Sequence, residues 1–184
     1  MEQASLVRLT TEFVIEVEWR GFELHPETPI GGLALTQLFG GQSLESLRSR
    51  MASFAAEFGV DIAVPQRLCN TRRALAMSEF ARDHGKLDGF RDEVTRAYWL
   101  RDEDLEDEGV LRGIASRVGL HGAEALEASE SKTYVDRVLQ TRADGIDQMV
   151  SGVPILFVQG MPIVGCQRYE TYETVLTRAG ATRR

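Results

Sequence analysis

The 184 residues are 43% hydrophobic and 27% charged, an ordinary globular composition with enough apolar material for one core in a single unit. A formal net charge of -7 and an isoelectric point near 5.1 argue against nucleic-acid binding, which needs a positive face to neutralise phosphates. No apolar run reaches the ~20 residues of a membrane helix, and residues 1–3 lack the basic-then-apolar order of a signal peptide, so a cytoplasmic chain away from the membrane is expected.

Residues 4–12 read as the end of a helix, with Leu6, Val7 and Leu9 as its apolar patch. Residues 14–19 alternate strictly and predict a strand, with Ile15, Val17 and Trp19 towards a core and Glu16 and Glu18 towards solvent or an edge. Phe22, Glu23 and Leu24 read as its extension, before Pro26 and Pro29 impose a loop.

The middle of the chain is helical, with no second strand before the C-terminal quarter. Ser43 caps a helix reaching Phe58, whose stripe is Leu44, Leu47, Met51, Phe54 and Phe58 and whose stop is Gly59. Residues 60–65 form a connector. Asn70 or Thr71 caps the next helix, whose Ala74, Leu75, Met77 and Phe80 are expected to be partly buried and which stops at Gly85.

A further helix spans about 87–100 with Phe90, Val94, Ala97 and Tyr98 inside. The acidic run 102–108 reads as a solvated connector, with a basic partner as the alternative, leading into a helix that carries Val110, Leu111, Ile114 and Val118. Residues 132–149 make another helix, loosening near Gly145. The chain has no internal repeat, low-complexity tract or Pro/Gly/Ser-rich linker.

The C-terminal quarter has a different rhythm. A loop at residues 150–154 leads into the apolar run 155–158, a turn at Gln159 and Gly160, a second strand at 161–165, and a final helix from about Tyr169 to Arg178. Pro154 opens a strand, where the cis form is accessible because a tertiary amide favours trans by only about 0.5–1 kcal/mol. Two cysteines, Cys69 and Cys166, cannot alone build a disulfide framework or a tetrahedral thiolate site, and His25, His84 and His121 lack ligand spacing. No metal site is expected.

In their order along the chain, Val17-Glu18-Trp19-Arg20, the run from Phe22 to Glu27, Asn70-Thr71-Arg72-Arg73-Ala74, Arg96-Ala97-Tyr98 and Gly152-Val153-Pro154 carry a resemblance. The chain resembles the DsbA-like proteins, most closely the FrnE-type subgroup near the 2-hydroxychromene-2-carboxylate isomerases and kappa-class glutathione transferases, from Ala4 to about Ala179. The resemblance implies an α/β chain of thioredoxin-like fold with a large all-helical insertion. It divides into residues 1–30, a partial N-terminal half; 31–130, the insertion; and 131–184, the C-terminal half with the cis-proline loop, all in one compact unit.

Such proteins begin with a strand leading into Cys-x-x-Cys at a helix N-terminus, or into serine in the glutathione-using relatives. This sequence starts inside that helix, so the N-terminal strand and its cysteine pair are missing from it. A helix N-terminus lowers a cysteine pKa and supplies the attacking thiolate. The missing strand would lie between residues 14–19 and 155–158, so unpaired backbone is expected there. The expectation is that DNA upstream of Met1 encodes the strand in frame, the alternative being a remnant that fills the gap through another protomer.

The resemblance assigns substrate binding to Val153 and Pro154, where the main chain before the proline pairs with an extended thiol peptide, and places Asn70 near the cleft, the alternative being that Asn70 only caps a helix while Arg72 and Arg73 pair with surface carboxylates. Cys166 is a redox candidate, weighed against a role as a small buried residue. His25 reads as a turn residue. An acidic residue near position 167 recognises the glutathione amine in the glutathione-using relatives, and Gln167 is neutral. No catalytic residue is identified within the chain, no bound cofactor is expected, and glutathione is the cosubstrate left open. The functions implied are a thiol–disulfide oxidoreductase acting on a thiol or disulfide peptide or a small thiol, a glutathione-dependent isomerase or transferase, or a non-catalytic peptide-binding protein. A homodimer is left open.

Overall fold

The structure, a computed structural model, describes residues 2–38, 43–65 and 67–184. In chain order the elements are α1 (Glu2–Glu12), β1 (Leu33–Ala34), α2 (Leu35–Leu38), α3 (Leu44–Ala56), β2 (Arg67–Leu68), α4 (Arg72–Asp83), α5 (Leu87–Arg101), α6 (Glu108–Arg117), α7 (Gly122–Ala128), α8 (Lys132–Asp147), β3 (Ile155–Val158), β4 (Met161–Val164) and α9 (Tyr169–Arg178). Polar side chains fix several helix starts. Ser43 accepts the Ser46 N–H at 3.2 Å to open α3, and Asp107 accepts the Val110 N–H at 2.9 Å to open α6. Of the two candidate caps before α4, Asn70 takes the role: its Oδ1 accepts the Arg72 N–H at 3.1 Å, while Thr71 makes no capping bond.

The helical unit is built on α4, which packs against α5, α7 and α8. Its Ala74, Ala76, Met77, Phe80 and Ala81 are buried, and so are Phe90 and Ala97 of α5 and Leu111, Ile114 and Ala115 of α6. The alanines leave no bulk between the axes, so the helices approach closely while Met77, Phe90, Leu111 and Ile114 fill the space. Each large side chain so buried contributes about 1.5–3 kcal/mol. The seven residues of α7 bury Ala125 and Ala128 and carry no long aliphatic stripe, so periodicity did not reveal this helix.

A second core joins α1, the hairpin and α9 through Leu6, Leu9, Phe13, Ile163, Tyr172 and Leu176. Leu6 and Leu9 face inward as expected, whereas Val7 lies on the solvent side of α1. The hairpin pairs Ile155 with Val164, Leu156 with Ile163, Phe157 with Pro162 and Val158 with Met161. Gln159 and Gly160, at φ 50° and 81°, make the two-residue turn with both centres left-handed, as a type I′ connection requires. Pro162 has no N–H, and antiparallel pairs alternate between bonded and non-bonded, so Leu156–Ile163 and Val158–Met161 are the bonded pairs. The Gly165 N–H donating to the Pro154 carbonyl at 2.9 Å continues that parity. Ile155 and Phe157 therefore turn their main-chain groups away from β4, and Pro162 sits where its missing donor faces outward.

Four expectations are corrected by the structure. Residues 14–19 form no strand: burial alternates, with Ile15, Val17 and Trp19 half-buried and Glu16 and Glu18 exposed, but no ladder is present. Alternation sets which face is apolar, and a ladder needs a neighbour, which this stretch lacks among the described residues. A short pair does occur in the middle of the chain, β1 with β2, too brief to leave a periodic signal. The acidic run is not merely solvated: Asp104 binds Arg67, and Glu106 accepts the main-chain N–H groups of Gly31 at 2.7 Å and Asn70 at 3.0 Å. Nor does α8 loosen at Gly145, which is buried; a β-carbon there would lie 2.5 Å from the Phe22 ring. The absent side chain is what lets Phe22 pack.

The stretch after residue 19 is stapled to the helical unit by Glu23. Its carboxylate, 2% exposed as a residue, accepts two bonds from the Arg72 guanidinium, at 2.8 and 3.0 Å. A two-pronged contact of this kind offsets much of the cost of removing the carboxylate from water. Arg72→Ala strands that carboxylate and is expected to lower stability by about 2–3 kcal/mol, at the low end for a buried pair because the arginine is partly exposed. Arg72→Lys, which cannot bind with two prongs, should fall between, as read from urea unfolding midpoints.

A second link ties α1 to α9. Glu12 accepts from the Tyr169 hydroxyl and from Arg8 Nε, and these two partners, the tyrosine first, hold its carboxyl below its ordinary value of 4.5. A depressed carboxylate adds stability above its unfolded pKa and loses it as pH falls through the folded one. Glu12→Gln is therefore expected to flatten the decline of stability below about pH 4.5, measured as urea midpoints across that range.

Candidate substrate site at the hairpin loop

The loop that opens the hairpin is aimed by the end of α8. Met149 takes a left-handed φ of 60°, the Val150 N–H reaches back to the Gly145 carbonyl at 2.8 Å, and the Met149 N–H reaches Ile146 at 2.9 Å. This double closure ends the helix and sends the chain into residues 151–154. The Val153–Pro154 peptide bond is cis. Pro154 is tied to the hairpin through its carbonyl, whereas Val153 is 51% exposed and its main chain makes no hydrogen bond to any described residue.

Val153 and Pro154 stand at the wall of a cavity of about 930 Å3 that runs between residues 14–20 and β3. Leu6 and Leu9 of α1 and Leu176 of α9 line it from one side, and Asp144, Gly145 and Gln148 of α8 from another. The site thus offers an extended, partly solvated main-chain edge above an apolar floor, the arrangement that receives a peptide as an added strand.

Asn70 does not line this cavity. Its Nδ2 donates to the Thr28 carbonyl at 2.7 Å, its Oδ1 caps α4, and its N–H reaches Glu106, so the side chain straps the loop at residues 25–32 to the helical unit. His25 lies exposed with Nδ1 3.0 Å from Glu27. Gln167 turns inward locally, its Nε2 donating to the Val164 carbonyl at 2.7 Å. Arg72 does pair with a carboxylate, but a buried one, and the residues that sequence reasoning overlooked are that partner, Glu23, and Glu106, whose bonds reach tens of positions away and leave no mark in local spacing.

The two cysteines occupy different environments and are not joined to each other. Cys166 follows Gly165, the residue bonded to Pro154, and is partly exposed beside the loop. Cys69 is buried in the helical core and donates to Asp104 Oδ1 at 3.6 Å. Burial pushes its thiol pKa up. Cys69, Asp104 and Glu106 bring one ligand atom each within 4.8 Å, but the carboxylate oxygens are occupied by Arg67 and by the N–H groups of Gly31, Asn70 and Glu106.

A hairpin with a cis-proline loop, an α-helix on either side of the sequence that forms it, and a helical unit inserted between define a thioredoxin-like protein. The chain belongs to the DSBA-like thioredoxin domain family, whose sequence model matches residues 3–177. It is similar to an uncharacterized protein of Bacillus subtilis (strain 168), YwbO, at 25% identity over 166 residues, 89% of this chain and 82% of that protein. In structure it is similar to a probable DsbA oxidoreductase of Streptomyces coelicolor, with a TM-score of 0.86, 21% identity, and coverage of 97% of this chain and 83% of the other. A 2-hydroxychromene-2-carboxylate isomerase shares the fold at a TM-score of 0.74 and 16% identity, covering 94% and 85%.

The contrast between the cysteines has a direct readout. Iodoacetamide is expected to label Cys166 at least about tenfold faster than Cys69 in the native protein, and both at similar rates in urea, followed by peptide mass spectrometry.

Proposed function

We propose that this chain carries the substrate-presenting part of a FrnE-type thiol–disulfide oxidoreductase. The observation that carries the reading is the exposed main chain of Val153 at the wall of the cavity, unpaired among the described residues. An extended peptide pairs there through its own N–H and C=O groups, which holds its sulfur beside the loop independently of its side chains. Membership of the DSBA-like family supports the assignment, and the partly exposed Cys166 follows the residue that is bonded to Pro154.

The exchange itself requires a Cys-x-x-Cys pair beyond the two cysteines of this sequence. One thiolate of the pair attacks a disulfide of the bound peptide, and one peptide sulfur leaves as a thiolate. The second cysteine then displaces the mixed disulfide. The peptide gains two electrons, the pair becomes a disulfide, and a small external dithiol returns it to the reduced form.

Insulin reduction with such a dithiol tests the reading. The chain is expected to reduce insulin only when a Cys-x-x-Cys pair is joined to it, and to be inactive without one. Activity without that pair that survives replacement of both Cys69 and Cys166 by serine would overturn the thiol mechanism. Glutathione-dependent isomerase activity with a serine in place of that pair would instead favour the isomerase reading.

A further inference from the structure

We propose that Tyr172 is the positioning residue of the substrate edge: its buried hydroxyl fixes the course of residues 165–167, and through them the placement of the main chain at Val153 and Pro154. The role rests on the reading of Val153 as the place where a peptide pairs, and it names the group that holds that place still.

The start of α9 supplies the reason. Arg168 occupies the capping position with extended backbone, φ -70° and ψ 153°, yet its side chain makes no capping bond. Without such a bond, the angle at which the chain enters the helix needs another anchor. Tyr172 provides it from the fourth position of the helix. Its Oη accepts the N–H of Gln167, the residue just before the cap, at 3.1 Å. An apolar staple joins these same two positions when it sets a chain's angle of entry into a helix, and here a hydrogen bond joins them. The hydroxyl is itself well placed, because the tyrosine is 0% exposed and shares one core with Leu6, Leu9, Phe13 and Ile163. Its oxygen is thus referenced both to α1 and to the hairpin.

Two further bonds carry the constraint to the loop. Gln167 Nε2 donates to the Val164 carbonyl at 2.7 Å and closes residues 164–167 into a turn. Inside that turn, the Gly165 N–H donates to the Pro154 carbonyl at 2.9 Å. Gly165 takes a φ of 75°, and nothing lies within 4 Å of where its β-carbon would stand, so it serves by its backbone and not by close packing. A glycine in open space holds one course only when its neighbours are fixed, and the two bonds of Gln167 fix them. Pro154 is thereby tied to the core. Val153, whose main chain makes no hydrogen bond to any described residue, takes its place from Pro154.

Packing and placement are divided within one side chain. The ring of Tyr172 fills the core, and only its oxygen reaches the turn, so Tyr172→Phe keeps the first and removes the second, leaving the part-buried Gln167 N–H without that acceptor.

Amide hydrogen exchange of the native chain tests the relay. In Tyr172→Phe, exchange at Gly165 and Gln167 is expected to rise at least about tenfold, with Leu176 in the body of α9 changing less than about twofold. Gln167→Ala cuts the tie to Val164 and keeps the bond to Tyr172, and it is expected to speed exchange at Gly165 in the same direction. In the chain joined to a Cys-x-x-Cys pair, Tyr172→Phe is expected to raise the KM for insulin about tenfold with kcat unchanged, since the peptide loses a pre-formed edge and the sulfur chemistry is untouched. Unchanged exchange at Gly165 in both variants, or a rise spread evenly through α9, overturns the relay. An unchanged KM, or a loss confined to kcat, overturns the positioning role. A joined parent that reduces no insulin removes the oxidoreductase reading, and the exchange rates then decide whether Tyr172 holds the loop.

Discussion

The bidentate contact between Glu23 and Arg72 is the interaction on which the rest of the site depends. It buries a carboxylate that would otherwise demand water, and its arginine stands at the first position of α4, the helix around which the helical unit is packed. The segment that precedes it has no ladder to hold it. It keeps its course because Glu23 fixes one end, Phe22 fits over Gly145, Arg82 takes the Trp19 carbonyl, and Val14 is bonded to the C-terminal tail. Side-chain contacts thus do for residues 14–24 what sheet hydrogen bonding does for an ordinary strand.

That substitution fixes one wall of the cavity beside β3, which is held at both ends by elements with their own cores. The helical unit and the layer of α1, the hairpin and α9 are separately packed, and the 14–24 segment bridges them. The cis-proline loop opens into the same space, aimed by the double closure at the end of α8. The cis-proline loop and the wall that faces it are therefore placed by one arrangement.

Much of this was legible in the sequence, and the limits have physical causes. The hairpin, its turn and α9 could be placed closely because local signals coincide there: β-rich runs, Gln159-Gly160 at the bend, and a helical stripe through Tyr172 and Leu176. The helical middle followed from period and caps, although Phe54, which lies on the expected stripe of α3, is 45% exposed. Alternation at residues 14–19 correctly sorted Ile15, Val17 and Trp19 from Glu16 and Glu18 but said nothing about a partner, since a ladder is a property of two segments. The roles of Glu106 and Glu23, and the bond from Asn70 to Thr28, were hidden for a similar reason. Each bond joins positions 36 to 75 residues apart, and a carboxylate in a charge run looks the same whether it meets water or a buried N–H.

Pro162 gives the hairpin a polarity. Placed where its nitrogen faces outward, it denies the exposed side of β4 one of the donors that a foreign strand would need, and Met161 and Val164 beside it remain open to water without becoming a template. Sheet growth along the solvent side of the hairpin is thereby disfavoured, so the edge that β4 turns to water is guarded against side-by-side aggregation by one residue that carries no donor.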